Sequence, residues 1–493
     1  MRDHEPIIIE EFNGLWKRGD SDSCPIDHWP DCNNVKFIES GFETRDGIDT
    51  FFNAANIRRM YNFTTEAGES LLVWVSGGFI YHLVPSTGDI FLVLQINDMT
   101  DFGFVAISGR AYITPFLTNA DGIQKALDNE FVYVYLADGN SARKAAGIAP
   151  TGTPLVAVQS ATAGFNDIGL HIIAVVYETD TGYLTPPGPA VFAQVTTTDG
   201  TKRIDVSNIP IPPGAEVVLK HLVATKVIPV FNGDQAGFQF FFIPNGDVAV
   251  GATTKSVSFY DLDLLDDASH LIDNYTEIPA TIGLTLYHDR MVAYSTFDDI
   301  SLALVSAVGE PEAISQVDGL VVIPLDGNPI LNAQEYRDIL YFWKKTRTFA
   351  VPDNNDEPST WKPVTLDQGF GATIHGIATV LDSGGINVDF ILIANFTGIL
   401  IFNGAYSIPE LTWKIKDLWL AINFTDFENV QMLVDSIRQI IYINLPNDII
   451  LEGDYSNGLD PKNIRWSLWT FDIHTNTIAL INNNTLLIGS ENV

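Results

Sequence analysis

Apolar residues fall along this chain in short runs of four or five, and successive runs are joined by polar tips. Leu284–Tyr287 is one such run, His288, Asp289 and Arg290 form its tip, and Met291–Tyr294 is the return. The device repeats at Ile339–Trp343, with Lys344, Lys345, Thr346 and Arg347 as the tip and Thr348–Val351 as the return. Two runs of β-branched and aromatic residues around a polar tip predict a β-hairpin. Earlier in the chain, LLVWVSGGFIYHLV is predicted to turn at Ser76-Gly77-Gly78, GFVAISGRAYITPF at Ser108-Gly109-Arg110 and FVYVYLADGN at Ala137-Asp138-Gly139. Glycine at each of these tips supplies the positive φ that a tight hairpin needs. Later, DFILIANFTGILIFNG is predicted to turn over Asn395–Gly398 and RQIIYINLPNDIILEGD over Pro446-Asn447-Asp448. Long helical periodicity is nearly absent, so the class is mostly β.

The later hairpins start near 284, 337, 389 and 436, roughly 50 residues apart, which is the spacing of four-stranded propeller blades. The earlier ones start near 71, 102 and 131, about 30 residues apart, which fits either whole blades or half blades. The expected fold is a β-propeller of about six to eight blades. Between the two series the pattern changes. Ile172–Glu178, the Pro-rich TPPGPA, the pair of strands around Ile209-Pro210-Ile211-Pro212-Pro213-Gly214, and FQFFFIPN predict a small β-sandwich inserted into the propeller. The expected organisation is an arm with the first propeller strand over 1–59, propeller over 60–151, the inserted sandwich over 152–266, and propeller again over 267–493.

The arm reads as extended, with one short strand near Val35–Ile38. Cys24, His28 and Cys32 are spaced four apart with His4 upstream, but a zinc site wants tighter pairs. A loop-closing disulfide or two free thiols suits them better, and Arg18-Gly19-Asp20 is a chance match to an adhesion tripeptide.

Charge changes the picture most. The 493 residues carry a formal net charge of −34. Such a surface repels nucleic-acid phosphates and offers no counterion release for binding them. It favours solubility, and it suits a wall past which DNA slides without sticking. The opening MRDHEPIIIEEF lacks a basic start and no run reaches membrane length, so neither secretion nor membrane insertion is expected. The expectation is a soluble protein that folds in a cytoplasm.

Enzyme chemistry is not signalled. There is no phosphate-cradling Gly-Lys-Ser/Thr loop, no GxSxG elbow and no HExxH. The acidic run Asp261, Asp263, Asp266, Asp267 lacks the glycine of an EF-hand and reads as a strand end passing into a linker. The histidines are scattered in or beside strands, and Trp343, Trp361, Trp413, Trp419, Trp466 and Trp469 read as blade core. No catalytic, cofactor-binding or metal-binding residue is assigned, and the chain is not expected to be an enzyme.

Several stretches in order resemble one family. Gly14-Leu15, Asn34-Val35 and Arg45-Asp46-Gly47 resemble the opening of bacteriophage tail and head-completion propeller proteins. YETDTGYLTPPGPA with IPIPPGAEVVLKHLVATK looks like the fibronectin-type insertion of those proteins, and Gly283–Pro352 is similar to a unit found in tail-nozzle and DNA-stabilisation proteins of short-tailed phages. The resemblance implies a virion protein in a ring, a homohexamer, that continues and gates the DNA conduit and is assembled in the host cytoplasm. Implied partners are further copies of the chain and neck or tail proteins such as a portal adaptor or tail fibres. DNA would pass through the lumen without tight binding, and no cofactor is implied. A receptor-binding or polysaccharide-degrading propeller is the alternative. Gly14, Arg18 and Arg45 from the arm, and the basic tip Lys344, Lys345 and Arg347, are the expected partner contacts; the tip reads equally as a solvated hairpin end.

Overall fold

The computed structural model describes 14–18, 24–25, 28–29, 31–38, 41–44 and 56–491, with breaks at 66–67, 120–121, 159–162, 198, 229–238, 382–387, 408, 423–429, 447 and 482–484. The predicted hairpins form. Val75 pairs with Phe79, Ile107 with Arg110, Trp343 with Thr348 and Asn395 with Gly398.

Seven antiparallel sheets follow one another along the chain, each winding outward from its first strand. The first sheet runs Ile57–Thr65, Gly68–Val75, Phe79–Val84, Asp89–Gln95. The second starts at Asp101–Ile107, the third at Thr281–Tyr287, the fourth at Asn332–Tyr336, the fifth at Ile377–Leu381 and the sixth at Gln431–Asp435; each has four or five strands. Among the described residues the seventh is the pair His474–Ile481 and Thr485–Glu491. The early spacing now has an explanation. The runs near 102 and 131 belong to one sheet, because Tyr133–Tyr135 pairs with Arg110–Thr118. Those earlier hairpins are parts of sheets, so the short period is not a sheet period.

The first strands stand side by side in a closed ring. The Tyr61 hydroxyl contacts the Phe102 carbonyl, linking sheets one and two, and Thr281 N–H donates to the Thr114 hydroxyl between two and three. The Tyr287 hydroxyl donates to the Asp338 carbonyl, Asn332 to Thr373, Met432 N–H to His375, and Gln431 to Ile478. Met60 N–H, which donates to the Thr477 hydroxyl at 3.1 Å, closes the seventh sheet onto the first. The layout is mostly β and propeller-like.

There is no single core. A separate apolar cluster fills the space between each neighbouring pair. Phe63, Trp74, Phe102 and Ile113 join one and two; Leu340, Phe342, Tyr287 and Val292 join three and four; Trp343, Ile391 and Phe402 join four and five; Ile57, Leu83, Ala479 and Ile481 join seven and one. The inner strands of the ring sheets are therefore buried on both faces. That is why runs such as ILYFW are continuously apolar where a one-sided sheet would alternate.

Between sheets two and three, seven strands form a three-stranded and a four-stranded sheet. Their facing sides share a core containing Val175, Val206, Leu222 and Phe259. Gly103 of sheet two still abuts sheet three: a Cβ there would meet Gly283 Cα at 2.8 Å. The extra strands therefore leave the ring unbroken. Arg143 clamps them on, pairing with Glu312 at 3.2 Å on sheet three and with Asp180 in the turn of the four-stranded sheet.

The arm covers the outer edge of sheet six. Leu15 N–H donates to Trp466 O at 2.8 Å, and Leu468 N–H donates to Cys32 O at 2.9 Å. An unpaired edge is a template for aggregation, and the arm caps it. Gly14 is required here: its φ is +82° and a Cβ would lie 2.8 Å from Trp466 N.

Candidate functional site

The ring encloses a cavity of about 570 Å³. Its wall is the first strands of all seven sheets, and polar and apolar groups share it; Asn62, Thr285, Asn332, Gln334, His375 and Gln431 supply polar side chains. None of the described residues lining it is acidic.

A buried ion bridge crosses the axis beside it. Arg59 of sheet one holds Asp101 of sheet two through Nη2 at 2.7 Å, and His375, just before sheet five, reaches the same Asp101 Oδ2 at 2.7 Å. Sheets two and five are not neighbours in the ring, so this contact spans it. Asp101 has both oxygens engaged, because Oδ1 accepts the Phe102 N–H at 2.8 Å. Burial opposes ionisation of Asp101, but the Arg59 charge and the hydrogen bonds from His375 and Arg59 prevail and hold it far below the usual carboxylate range. His375 is shifted the other way: burial, then the Arg59 charge, lower its pKa against the pull of Asp101. An ionised Asp101 can only accept, so the proton of neutral His375 sits on Nε2. Nδ1 then faces the Tyr61 hydroxyl at 3.3 Å. Burial pushes the Tyr61 phenol far up, so it stays protonated. Arg59 Nη1 is buried with no hydrogen-bond partner among the described residues. The sequence holds no local signal for this bridge, since its members lie 42 and 274 positions apart.

The basic tip divides. Lys344 is fully buried, and its Nζ donates to Asp326 Oδ1, the Ser301 hydroxyl and the Pro324 carbonyl, each at 3.0 Å. It is not a surface residue, because the last position before the turn points between sheets. Arg347 stands 3.6 Å from the same Asp326, and Lys345 lies over the Phe396 ring at 5.4 Å. Both are partly exposed. Arg18 lies over the Trp413 ring at 4.2 Å, which leaves Trp413 half-buried at the arm while the other five tryptophans singled out are buried. Arg45 lies outside the described residues, as do Gly19, Asp20 and His4.

Cys32 is a free thiol, and the Cys24 thiol donates to the His28 carbonyl at 3.5 Å. Burial, then Glu452, pushes the Cys32 thiol up to about 12, so it does not ionise to a metal-binding thiolate near neutral pH. Among the described residues, one group of metal-ligating side chains converges: His288, Glu335 and Asp338, on the turns of sheets three and four. No helix is long and apolar enough to cross a membrane among the described residues.

No family model matches the chain, and no curated protein matches it. Among solved structures it is similar to the computationally designed Ika8 protein, with 10% identity, TM-score 0.34, and coverage of 89% of this chain and 94% of that one. It is similar to the C-terminal WD40 domain of Sif2, with 9% identity, TM-score 0.36, and coverage of 90% and 95%. For apo AztD from Citrobacter koseri the values are 11%, 0.31, 85% and 90%.

Proposed function

We propose that this chain is a structural assembly subunit: a seven-bladed propeller with a two-stranded last blade and an inserted fibronectin-like sandwich, working in a ring of a bacteriophage tail or neck. Its surfaces do the work and its central cavity does not. The observation that carries this reading is the cavity itself. Glycoside hydrolysis needs two carboxyl groups facing one bond. Among the described residues the cavity wall has none, and Asp101 beside it is engaged by Arg59, His375 and the Phe102 amide. The same bridge crosses the axis, so the conduit for DNA is the lumen of the assembled ring and not the axis of one propeller. The phage setting is supported by the resemblance of the arm and of 283–352, and the net charge of −34 suits a lumen that DNA does not stick to.

Native mass spectrometry of the purified chain, with proteomics of purified particles of the phage that encodes it, tests the reading. A discrete ring, six copies by expectation, and recovery from particles are the expected results. A chain that stays monomeric at every concentration and is missing from particles overturns it.

A further inference from the structure

We propose that His288, Glu335 and Asp338, backed by Asp353, form a binding site for a first-row divalent transition ion, with Zn²⁺ the best fit. The site lies away from the central cavity, where the first hairpin turn of sheet three meets that of sheet four.

The spacing points to an ion between the ligands. His288 Nε2 is 3.6 Å from Glu335 Oε1 and 3.7 Å from Asp338 Oδ1. A hydrogen bond would close these gaps to about 2.7–3.2 Å. Two ligands on one tetrahedral ion, with bonds of about 2.0–2.1 Å, stand about 3.4 Å apart. The three ligand atoms all lie within 4.8 Å of one another.

Glu335, Asp353 and His288 are each oriented by a further contact. Glu335 Oε2 accepts the His288 backbone N–H at 3.2 Å, which leaves Oε1 facing the imidazole. Asp353 Oδ1 accepts the Asn355 N–H at 2.7 Å, while Oδ2 stands 3.5 Å from His288 Nδ1. Asp353 thus stands on the Nδ1 side of the ring, opposite Nε2, which is the place carboxylates take behind metal-bound histidines. The Tyr287 ring stacks on the imidazole, with centroids 4.2 Å apart, and limits its rotation.

One imidazole with two carboxylates suits Zn²⁺, whereas Ca²⁺ and Mg²⁺ prefer all-oxygen sites. Three acidic side chains gathered around one imidazole suit a divalent cation. Asp338 is exposed, so the fourth position is open to water. A bound ion would pin the turn of sheet three to that of sheet four.

Isothermal titration of tag-free, EDTA-treated full-length protein with ZnCl₂, and in parallel with CaCl₂ and MgCl₂, tests this. One Zn²⁺ per chain is expected, bound at least tenfold more tightly than Ca²⁺ or Mg²⁺. His288→Ala and, independently, the Glu335→Gln/Asp338→Asn double variant should each weaken it tenfold or more, and Asp353→Asn about tenfold. Circular dichroism confirms that each variant is folded. Absence of saturable Zn²⁺ binding, unchanged affinity in both folded ligand variants, or equal affinity for all three ions, which marks diffuse attraction to an acidic surface, overturns the proposal.

Discussion

Single residues in this chain often do the opposite of what their type suggests. Lys344 reads as part of a basic tip and is instead an internal cation, fully buried against Asp326. Removing one partner of a buried pair strands the other charge, at a cost of about 3–5 kcal/mol. Lys344→Met should therefore lower stability by about that much, and Lys345→Ala by less than ~1 kcal/mol; urea midpoints measure both. Equal effects would refute the internal role. Glu452, in a middle strand of sheet six, is 2% exposed. Burial, then repulsion from Asp454, pushes its pKa up to about 8 from 4.5. The folded state thus holds a proton that the unfolded chain releases above pH 4.5. This stabilisation is complete below about pH 4.5 and is lost as pH rises through 8, by roughly 1.4 kcal/mol per unit between. Glu452→Gln cannot lose a proton, so its stability relative to the natural protein should climb from pH 5 to about pH 8 and level off above it. A flat difference would show that Glu452 ionises normally.

At the scale of elements, the hairpins were legible because the inner strands of the ring sheets, such as Ile339–Trp343 and Ile440–Leu445, are buried on both faces and read as apolar runs, so their turns stand out. The second sheet left whole and half blades undecided because Tyr133–Tyr135, paired with both Arg110–Thr118 and Arg143–Lys144, opens a second hairpin within one sheet. What joins the elements was not legible. Gly103 against Gly283, Met60 against Thr477, and Asp101 against His375 are contacts between residues far apart in sequence, with no local period to betray them. The bridge across the axis makes its own prediction. Arg59→Met should cost about 3–5 kcal/mol by leaving Asp101 buried and unpaired, and adding Asp101→Asn should recover part of that loss. The lowered pKa of His375 works in the acid limb: the unfolded chain takes up its proton below about pH 6.5 while the folded one resists, so stability falls as pH falls from there. His375→Gln should flatten that limb in denaturant midpoints taken from pH 7 to pH 5, and an unchanged slope would mean the imidazole does not contribute.

At the scale of the whole molecule, the ring and the strands carried between sheets two and three are joined by few contacts. The chain leaves the ring after Ala145 and Ala146 and returns at Tyr275 and Ile278, and all four lie in the same apolar cluster between those sheets. The two ends are therefore close, and the first strands of sheets two and three already touch through Gly103 and Gly283. Replacing 148–273 with a short Gly-Ser linker should leave a folded ring with a cooperative melt. It should be weaker than the full chain, because Tyr183 leaves the cluster that it shares with Ile278 and Met291. Losing a buried aromatic of that size costs about 3–5 kcal/mol. The Arg143 pair with Glu312 stays within the ring and is retained, while its pair with Asp180 is lost. Far-UV circular dichroism and calorimetry decide the outcome. A β spectrum with one sharp transition at lower temperature supports a self-contained ring, whereas a chain that no longer melts cooperatively would mean that the strands between sheets two and three are part of the ring's own core.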